Sequence, residues 1–324
     1  MKYYIGIDLG GTNIAAGLVN EKGSLLSSCS LPTGKGRSAK EIAADMGKLA
    51  KKSAFDGGID WEQIASVGIG VPGTANQETG VVEYANNLGF YDEPIVSMME
   101  KELPGKKIYF DNDGNAAAWG EYLVGSGKGT KSMLLVTLGT GIGGGIILNG
   151  KRFWGVNYAA GEFGHMTIDQ NGVLCNCNRR GCFEAYASAT ALTMQTKAAM
   201  ETHPDSILWE LCHGKIELIE AKTVFEGARK GDDTSVLVLD QYVKYLGAGV
   251  VNLINLFQPE LICIGGGLSK AGDLLLEPLK AIVEKEEYAR TSKNRTRLVV
   301  AELNNNAGLI GAALLEDEKK GTSI

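Results

Sequence analysis

The sequence predicts an α/β protein built from two related halves, and three observations carry that reading. The chain has 324 residues, more than one ordinary core accommodates, so two domains are the natural division. Strand-like and helix-like segments alternate along most of it, as in layered α/β folds. Two segments, IDLGGTNIAAGLV and VTLGTGIGGGIIL, can be laid side by side. Each is an apolar strand, a Gly/Thr turn and a second apolar strand, as an internal duplication would leave.

The first half opens with three strands, residues 3–9, 14–20 and 25–31, turning at GlyGlyThr and GluLysGly. Ile42, Met46 and Leu49 recur at helical spacing, which predicts a helix over residues 38–55. A strand at 67–71, a helix at 95–103, a strand at 107–111 and a helix at 114–123 follow. The pattern then restarts. Residues 133–138 and 142–148 are strands about a second glycine-rich turn, and Asn149-Gly150 is a hairpin signal. Residues 185–257 read as mostly helical. Then come a buried strand at 261–264, a helix at 274–286, a strand at 297–301 and a last helix at 306–315. No low-complexity linker parts the halves.

Hydrophobic content of 44% and charged content of 22% are those of a soluble globular protein. A net charge of −6 argues against a nucleic-acid partner, which usually demands a basic face. The apolar run at residues 3–9 is too short for a signal peptide's core and no cleavage site follows it. No apolar run approaches membrane-spanning length. Cys29, Cys212 and Cys263 are scattered through ordinary strands and helices, so reduced thiols in the cytoplasm are expected rather than disulfides. The Asn294-Arg295-Thr296 sequon is discounted on the same ground.

Glycine is the compositional outlier, with 44 residues. Residues 68–73 and 139–144 both match G-x-G-x-x-G, but neither is a dinucleotide fingerprint. That motif needs a helix directly after the loop, whereas the second loop runs into a strand and Pro72 interrupts the first. The Walker A pattern is absent. A strand–turn–strand phosphate loop is the remaining option, with backbone N–H groups forming an anion-binding concavity. Gly10-Gly11-Thr12-Asn13 and Gly139-Thr140-Gly141 would be two such loops, one per half, unless they are merely tight hairpins. Asp8 would hold Mg²⁺ through water beside the first. Gly265, Gly266 and Gly267 follow a buried strand, begin a helix and suit the approach of a nucleotide base or ribose.

Asp113 closes a strand and opens a helix in the run FDNDGNA. Two readings stand open: an N-cap, or a general base for a hydroxyl, kept ionised by the helix amino terminus. A weak, well-placed base suits loose phosphoryl transfer. Asn112 beside it would orient the same hydroxyl region.

Between Gly161 and Glu184, His165, Cys175, Cys177 and Cys182 fall within eighteen residues. Three thiolates and an imidazole complete a tetrahedral zinc set and leave no open position, so the zinc would be structural. Clustered cysteines can also be buried hydrophobes or redox pairs, although Cys-x-Cys is tighter than the usual redox spacing. Glu162 and Glu184 bracket the cluster, and a metal-pinned loop would hold both rigidly.

Together the motifs DLGGTN, NDGNAAAWGE, TLGTGIGGGI, GEFGH, CNCNRRGCFEAYAS and IGGGLS resemble the ROK family of sugar kinases and repressors, and within it the bacterial-type glucokinases. They stand in family order over nearly the whole chain. The resemblance implies the actin-like ATPase (ribonuclease H-like) fold, two related α/β domains with a cleft between them. It implies transfer from ATP, with Mg²⁺, to a hexose hydroxyl, most simply the 6-hydroxyl of glucose. Asp113 then looks like the base. Asn112, Glu162, His165 and Glu184 resemble the sugar-binding residues, with Gly73 and Asn87 as additions. His165 would give one ring nitrogen to zinc and the other to the sugar. The last helix of such folds returns to the first domain, so residues 1–112 with 305–324 are expected to form a smaller domain, and 113–304 a larger one carrying the zinc loop. Family precedent implies a homodimer or homotetramer.

Asn178 stands where the family pattern has glycine, a substitution that asparagine's tolerance of left-handed backbone accommodates. Three other readings compete. A repressor of the same family carries a DNA-binding domain ahead of the core, for which the first glycine loop at Gly10 leaves no room. An actin-like ATPase acting on proteins would not explain a zinc loop flanked by two carboxylates. A kinase for N-acetylmannosamine, allose or fructose would keep the chemistry and change the sugar.

Overall fold

The computed structural model describes residues 1–316. Along the chain the elements are β1 (Tyr3–Leu9), β2 (Asn13–Asn20), β3 (Leu25–Pro32), α1 (Ala39–Asp56), β4 (Ile64–Val71), β5 (Thr74–Asn76), β6 (Val81–Ala85), β7 (Phe90–Glu93), α2 (Ile95–Glu102), β8 (Lys107–Asn112), α3 (Asp113–Val124), β9 (Met133–Leu138), β10 (Ile142–Leu148), β11 (Lys151–Arg152), α4 (Glu184–Ala187), α5 (Ala189–Thr202), α6 (Leu208–Leu211), α7 (Ala221–Arg229), α8 (Asp233–Phe257), β12 (Leu261–Gly265), α9 (Asp273–Glu286), β13 (Arg297–Val300) and α10 (Ala307–Ala313). The long apolar runs became strands and helices as their periodicity predicts. The sheet β5–β6–β7 was not foreseen, because its strands are short and carry turn-forming and acidic residues.

Two five-stranded sheets share one order. The first runs β3-β2-β1-β4-β8 and the second β11-β10-β9-β12-β13. In the first, β1–β2 and β2–β3 are antiparallel, while β1–β4 and β4–β8 are parallel. In the second, β10–β11 is antiparallel and β12–β13 parallel. Corresponding strands thus sit in corresponding places, the structural form of the duplicated sequence.

Contacts divide the chain into two units. One comprises Met1–Leu135, Gly145–Gly161 and Glu302–Ile324, the other Val136–Gly144 and Glu162–Ala301. The chain passes from one to the other inside β9 and β10. Relative to the division expected at residues 112 and 305, the first unit also holds α3 and the stretch 145–161, and residues 317–324 lie outside the described residues. The reason is packing: α3 lies on α10, which lies on β1 and β4.

In the first unit one sheet face buries Ile5, Ile7, Ile14 and Ile69 with Ile42 and Met46 of α1 and Met99 of α2. Ser38 and Glu41 form a capping box that starts α1. The other face meets α10 almost backbone to backbone. A Cβ at Gly68 would lie 1.8 Å from Ala312 O, and one at Gly311 1.7 Å from Ala116 O. Glycine is needed there for approach, and the three layers β4, α10 and α3 stack through that seam.

In the second unit α8 is the central helix, flanked by α5, α7 and α9. Tyr242 of α8 donates to Ala187 O at 2.7 Å. Asp232 caps α8, accepting from Ser235 N, and also takes bonds from Ser206 and Ile207 N.

Because no side chain fits at Gly68, Gly68→Ala should destabilise the protein by about 1–3 kcal/mol through forced backbone movement. Urea denaturation reads this directly; a midpoint unchanged from the parent would show that α10 does not press on β4.

Candidate active site and metal centre

The last residues of β8 set the corner from which α3 starts. Asp111 is buried, 1% exposed. Its Oδ2 accepts from Arg152 at 2.7 Å and from Trp154 Nε1 at 3.0 Å. Its Oδ1 accepts from Asn112 N at 2.7 Å and Asn115 Nδ2 at 3.1 Å. The Arg152 guanidinium lies 5.2 Å and 5.3 Å from the rings of Trp119 and Trp154. Burial pushes the Asp111 carboxyl up, opposed by the Arg152 charge and by the Trp154, Asn115 and Asn112 donors. Sequence reasoning missed Asp111, Arg152 and Trp154; the only signal was an acid at the end of an apolar strand.

With the backbone held this way, Asn112 caps α3. Its Oδ1 accepts from Gly114 N at 2.8 Å and Asn115 N at 3.2 Å. Its Nδ2 donates to Gly73 O at 3.0 Å. Asp113 is the first helical residue rather than the cap, and its Oδ1 accepts from Gly114 N at 2.8 Å. The structure therefore brings Gly73, Asn112 and Asp113 together. Gly73 has φ +85, and a Cβ there would lie 2.0 Å from Tyr84 O.

The first glycine loop is closed by Gly10 N to Asn13 O at 2.9 Å, Thr33 Oγ1 to Gly10 O at 2.7 Å and Thr33 N to Thr12 O at 2.8 Å. Thr12 and Asn13 are exposed. Gly11 lies against Asn87, where a Cβ would be 3.1 Å from that of Asn87. Asp8, the last residue but one of β1, lies beside the head of α10, where a Cβ at Gly308 would stand 3.2 Å from its Oδ2. Burial pushes the Asp8 carboxyl up; a cation near it would reverse that shift.

The second unit holds the metal-ligand candidates. The ligand atoms of His165, Cys175, Cys177 and Cys182 all lie within 4.8 Å of one another. Cys177 Sγ and Cys182 Sγ are 3.5 Å apart, and Cys175 Sγ lies 3.9 Å from His165 Nδ1. A tetrahedral zinc with bonds of about 2.0–2.3 Å needs ligand–ligand edges of roughly 3.4–3.8 Å. The 3.5 Å edge falls in that range, the 3.9 Å edge lies just above it, and the donor types are those zinc takes. Cys175 N donates to Arg179 O at 2.8 Å and Asn178 N to Cys175 O at 2.9 Å. Asn178 adopts φ +66, so asparagine takes the left-handed turn. Arg179 forks onto His165 O and Thr167 Oγ1. Burial pushes the Cys175 thiol up to about 12. For Cys177 burial is outweighed by the Arg179 N–H, the two neighbouring sulfurs and the Arg179 charge, so its thiol is held down.

Glu184, the first residue of α4, joins this cluster to the second glycine loop. Its Oε1 lies 3.2 Å from Cys175 Sγ and 3.8 Å from His165 Nδ1. Its Oε2 accepts from Ile142 N at 3.3 Å. A Cβ at Gly141 would lie 2.5 Å from that oxygen, so glycine there admits the carboxylate. The loop is fastened from α5 by Ala189 N to Gly139 O at 2.8 Å and Thr190 Oγ1 to Thr140 O at 2.7 Å. Gly266, at φ +81, packs on Leu138, the residue before this loop. Gly265 ends β12, and Gly267 begins a short 3₁₀ helix, residues 267–271, ahead of α9. A Cβ at Gly267 would meet nothing within 4 Å. Glu162 precedes His165, whose N–H donates to Glu162 O at 3.1 Å. The protein packed around the Glu162 carboxyl pushes it up; His165 pulls it down and the Glu184 charge raises it.

Comparison with known proteins places these features. The ROK family model matches residues 4–319. A glucokinase of Streptomyces coelicolor is 38% identical, over 97% of this chain and 97% of its own length. A putative xylose repressor from a Caldicellulosiruptor species is 31% identical, over 95% of this chain and 77% of its own. The crystal structure of a ROK family glucokinase from Streptomyces griseus, in complex with glucose and AMPPNP, superposes with a TM-score of 0.83 at 36% identity, covering 97% of this chain and 98% of that one. The fold is that of the ROK sugar kinases, the actin-like ATPase fold.

Breaking one side of the buried pair should be costly: Arg152→Leu is expected to lose about 3–5 kcal/mol of stability. The Asp111 carboxyl, already raised by burial, would rise further. An acid raised in the folded state holds its proton to higher pH there, so folding loses stability as pH climbs through that window. The deficit should be largest near neutrality and shrink as the pH falls toward about 4; thermal melts across pH measure it, and a pH-independent deficit would contradict the pairing.

Proposed function

The chain belongs to the ROK family, and from that premise we propose that it is an ATP-dependent hexose kinase that phosphorylates glucose at the 6-hydroxyl. Glucokinase relatives at 38% and 37% identity over nearly the whole chain support the substrate. In the structure itself one observation carries the chemistry: Asn112, not Asp113, caps α3. The carboxylate at the head of that helix is thus placed by the fold without serving as its cap.

In this reading Asp113 accepts the proton of the sugar hydroxyl as the hydroxyl oxygen bonds the terminal phosphorus of ATP and the bond from that phosphorus to the bridging oxygen breaks, releasing ADP. The transition state is loose, so positioning matters more than basicity. Asn112 and Gly73 hold the backbone beside it, and Asn87 and Asn112 offer amides to the sugar. Glu162 and Glu184 accept from sugar hydroxyls; each carboxylate has about four lone-pair directions, so the bonds Glu184 already makes leave capacity. His165 gives Nδ1 to the metal and Nε2 to the sugar, each bond fixing the ring for the other. Gly10 to Asn13, with Gly139, Thr140 and Gly141, receive the phosphates, and Gly265, Gly266 and Gly267 the nucleoside. Asp8 would hold Mg²⁺, which neutralises phosphate charge when bound. Structural Zn²⁺ on His165, Cys175, Cys177 and Cys182 would keep the loop in shape.

Thiolate ligands require reducing surroundings, which supports a cytoplasmic location. Among the described residues no helix is long and apolar enough to cross a membrane. Leu256 and Tyr288 are 72% and 86% exposed, and Tyr288 N donates to Asn255 Oδ1, beside Leu256 in the chain. A homodimer or homotetramer would cover such a patch.

Purified protein assayed for ATP consumption against a panel of hexoses and N-acetylhexosamines tests the reading. Glucose should give the highest kcat/KM; preference for N-acetylmannosamine would reassign the sugar, and no sugar-dependent turnover would end the kinase reading. Asp113→Asn should bind glucose normally and lose about 10²–10⁴-fold in kcat; normal kcat would remove Asp113 from the mechanism. Cys177→Ser should lower both zinc content by elemental analysis and glucose affinity by calorimetry, whereas a full equivalent of zinc retained per chain would contradict the ligand set.

A further inference from the structure

A cavity of about 350 Å³ opens within the first unit, and no residue proposed for sugar or nucleotide lines it. Its size falls at the lower end of the range for small-molecule sites. Val96, Ile108, Phe110 and Leu315 give it an apolar lining, and Tyr109 and Trp154 add aromatic surface. Two donors accompany them. Gln77 Nε2 is buried and has no hydrogen-bond partner, and a buried donor left unmade is a standing cost that an accepting ligand removes. The Lys107 ammonium lies 5.5 Å from the Tyr109 ring centroid. The one carboxylate in the lining, Glu78, is engaged by the Tyr158 hydroxyl.

We propose that this cavity is an effector site for a small carboxylate with a ring or compact apolar body, whose oxygens accept from Gln77 Nε2 and Lys107 Nζ. A single negative charge suits it better than two, because Glu78 lines the wall and Asp111 lies behind Arg152 and Trp154. The site is wired to the β8–α3 corner. Arg152 and Trp154 both line the cavity, and both donate to Asp111 Oδ2. Asp111 Oδ1 in turn holds Asn112 N and Asn115 Nδ2. An anion in the cavity competes with Asp111 for the Arg152 guanidinium and loosens the corner from which Asp113 projects. The coupling rests on the reading of Asp113 as the base; the site itself does not.

The test uses the full chain with ¹⁵N-labelled tryptophan, titrated with benzoate, nicotinate and 4-hydroxybenzoate. At least one should move the Trp154 indole resonance, assigned through Trp154→Phe, to a saturating limit while Trp61 and Trp209 stay still. Gln77→Leu, which removes the unpartnered Nε2 donor together with its amide oxygen, and Lys107→Ala should each abolish the shift or weaken it severalfold. In the parent, kcat should fall over the same concentrations with the sugar KM unchanged. Absence of a saturable shift with all three acids, or a shift undiminished in Gln77→Leu, would overturn the site. Binding with unaltered kcat would overturn the coupling and leave the site standing, and the indole readout holds whether or not the chain proves to be a kinase.

Discussion

The buried carboxylate of Asp111 is the constraint on which the first unit's chemistry depends. It sits near the end of β8, the edge strand that runs parallel to β4, 1% exposed, with a guanidinium and three further donors around it. Such a pair gives little net stability compared with an apolar core of equal volume, because both charges lose their water. What it does give is direction. One oxygen of Asp111 fixes the backbone N–H of Asn112, and that orientation turns the Asn112 side chain onto the first N–H groups of α3. The helix then starts at Asp113. A hydrophobic residue at position 111 would fill the space and leave the corner unaimed.

The proposed zinc would give the second unit comparable rigidity by another route. Between its buried ends, Phe163 and Phe183, the loop is mostly exposed. Four soft and borderline ligands within reach of one ion would tie it together. Glu184 carries that order onward, since one of its oxygens faces the cluster and the other faces Ile142 N. Gly141 is glycine because the carboxylate occupies the space a side chain would need. Gly10 and Gly139, by contrast, do not have the positive φ that would demand glycine. At Gly139 a Cβ would meet nothing nearer than 4.0 Å, so neither backbone angle nor crowding by the protein requires glycine there.

Much of this was legible in the sequence, for identifiable reasons. Long apolar runs such as residues 3–9 and 133–138 allow only one reading, and their repetition announces two sheets of one order. The Cys-x-Cys-x₄-Cys spacing with an upstream histidine constrains a metal set by local geometry alone. What stayed hidden was decided by partners distant in sequence. Arg152 and Trp154 look like ordinary residues after a hairpin, and their meaning comes from Asp111, some forty positions earlier. The strands β5, β6 and β7 are too short to show a period. The sequence offered Asp113 as cap or base of α3 and passed over Asn112, an equally good capping residue, whose place is given by the Asn112–Gly73 bond and the Asp111 anchor.

The extent of the first unit follows from a second buried carboxylate. Glu121, near the end of α3, is fully buried. It accepts from Ser126 N at 3.0 Å, Glu302 N at 3.2 Å and Leu303 N at 2.7 Å. Those last two amides belong to the point where the chain re-enters the first unit, two residues after β13. A backbone N–H buried without a partner is expensive, and here one side chain satisfies two of them at once. The return of the chain is thereby fixed to α3, and α10 can only lie where Gly68 and Gly311 let it. Placing α3 in the second unit, as the end of β8 suggests, would separate this carboxylate from the amides it serves. The division of the chain is therefore set by hydrogen-bond satisfaction at Glu121 as much as by apolar packing, which is why no change of composition at residue 112 announces it.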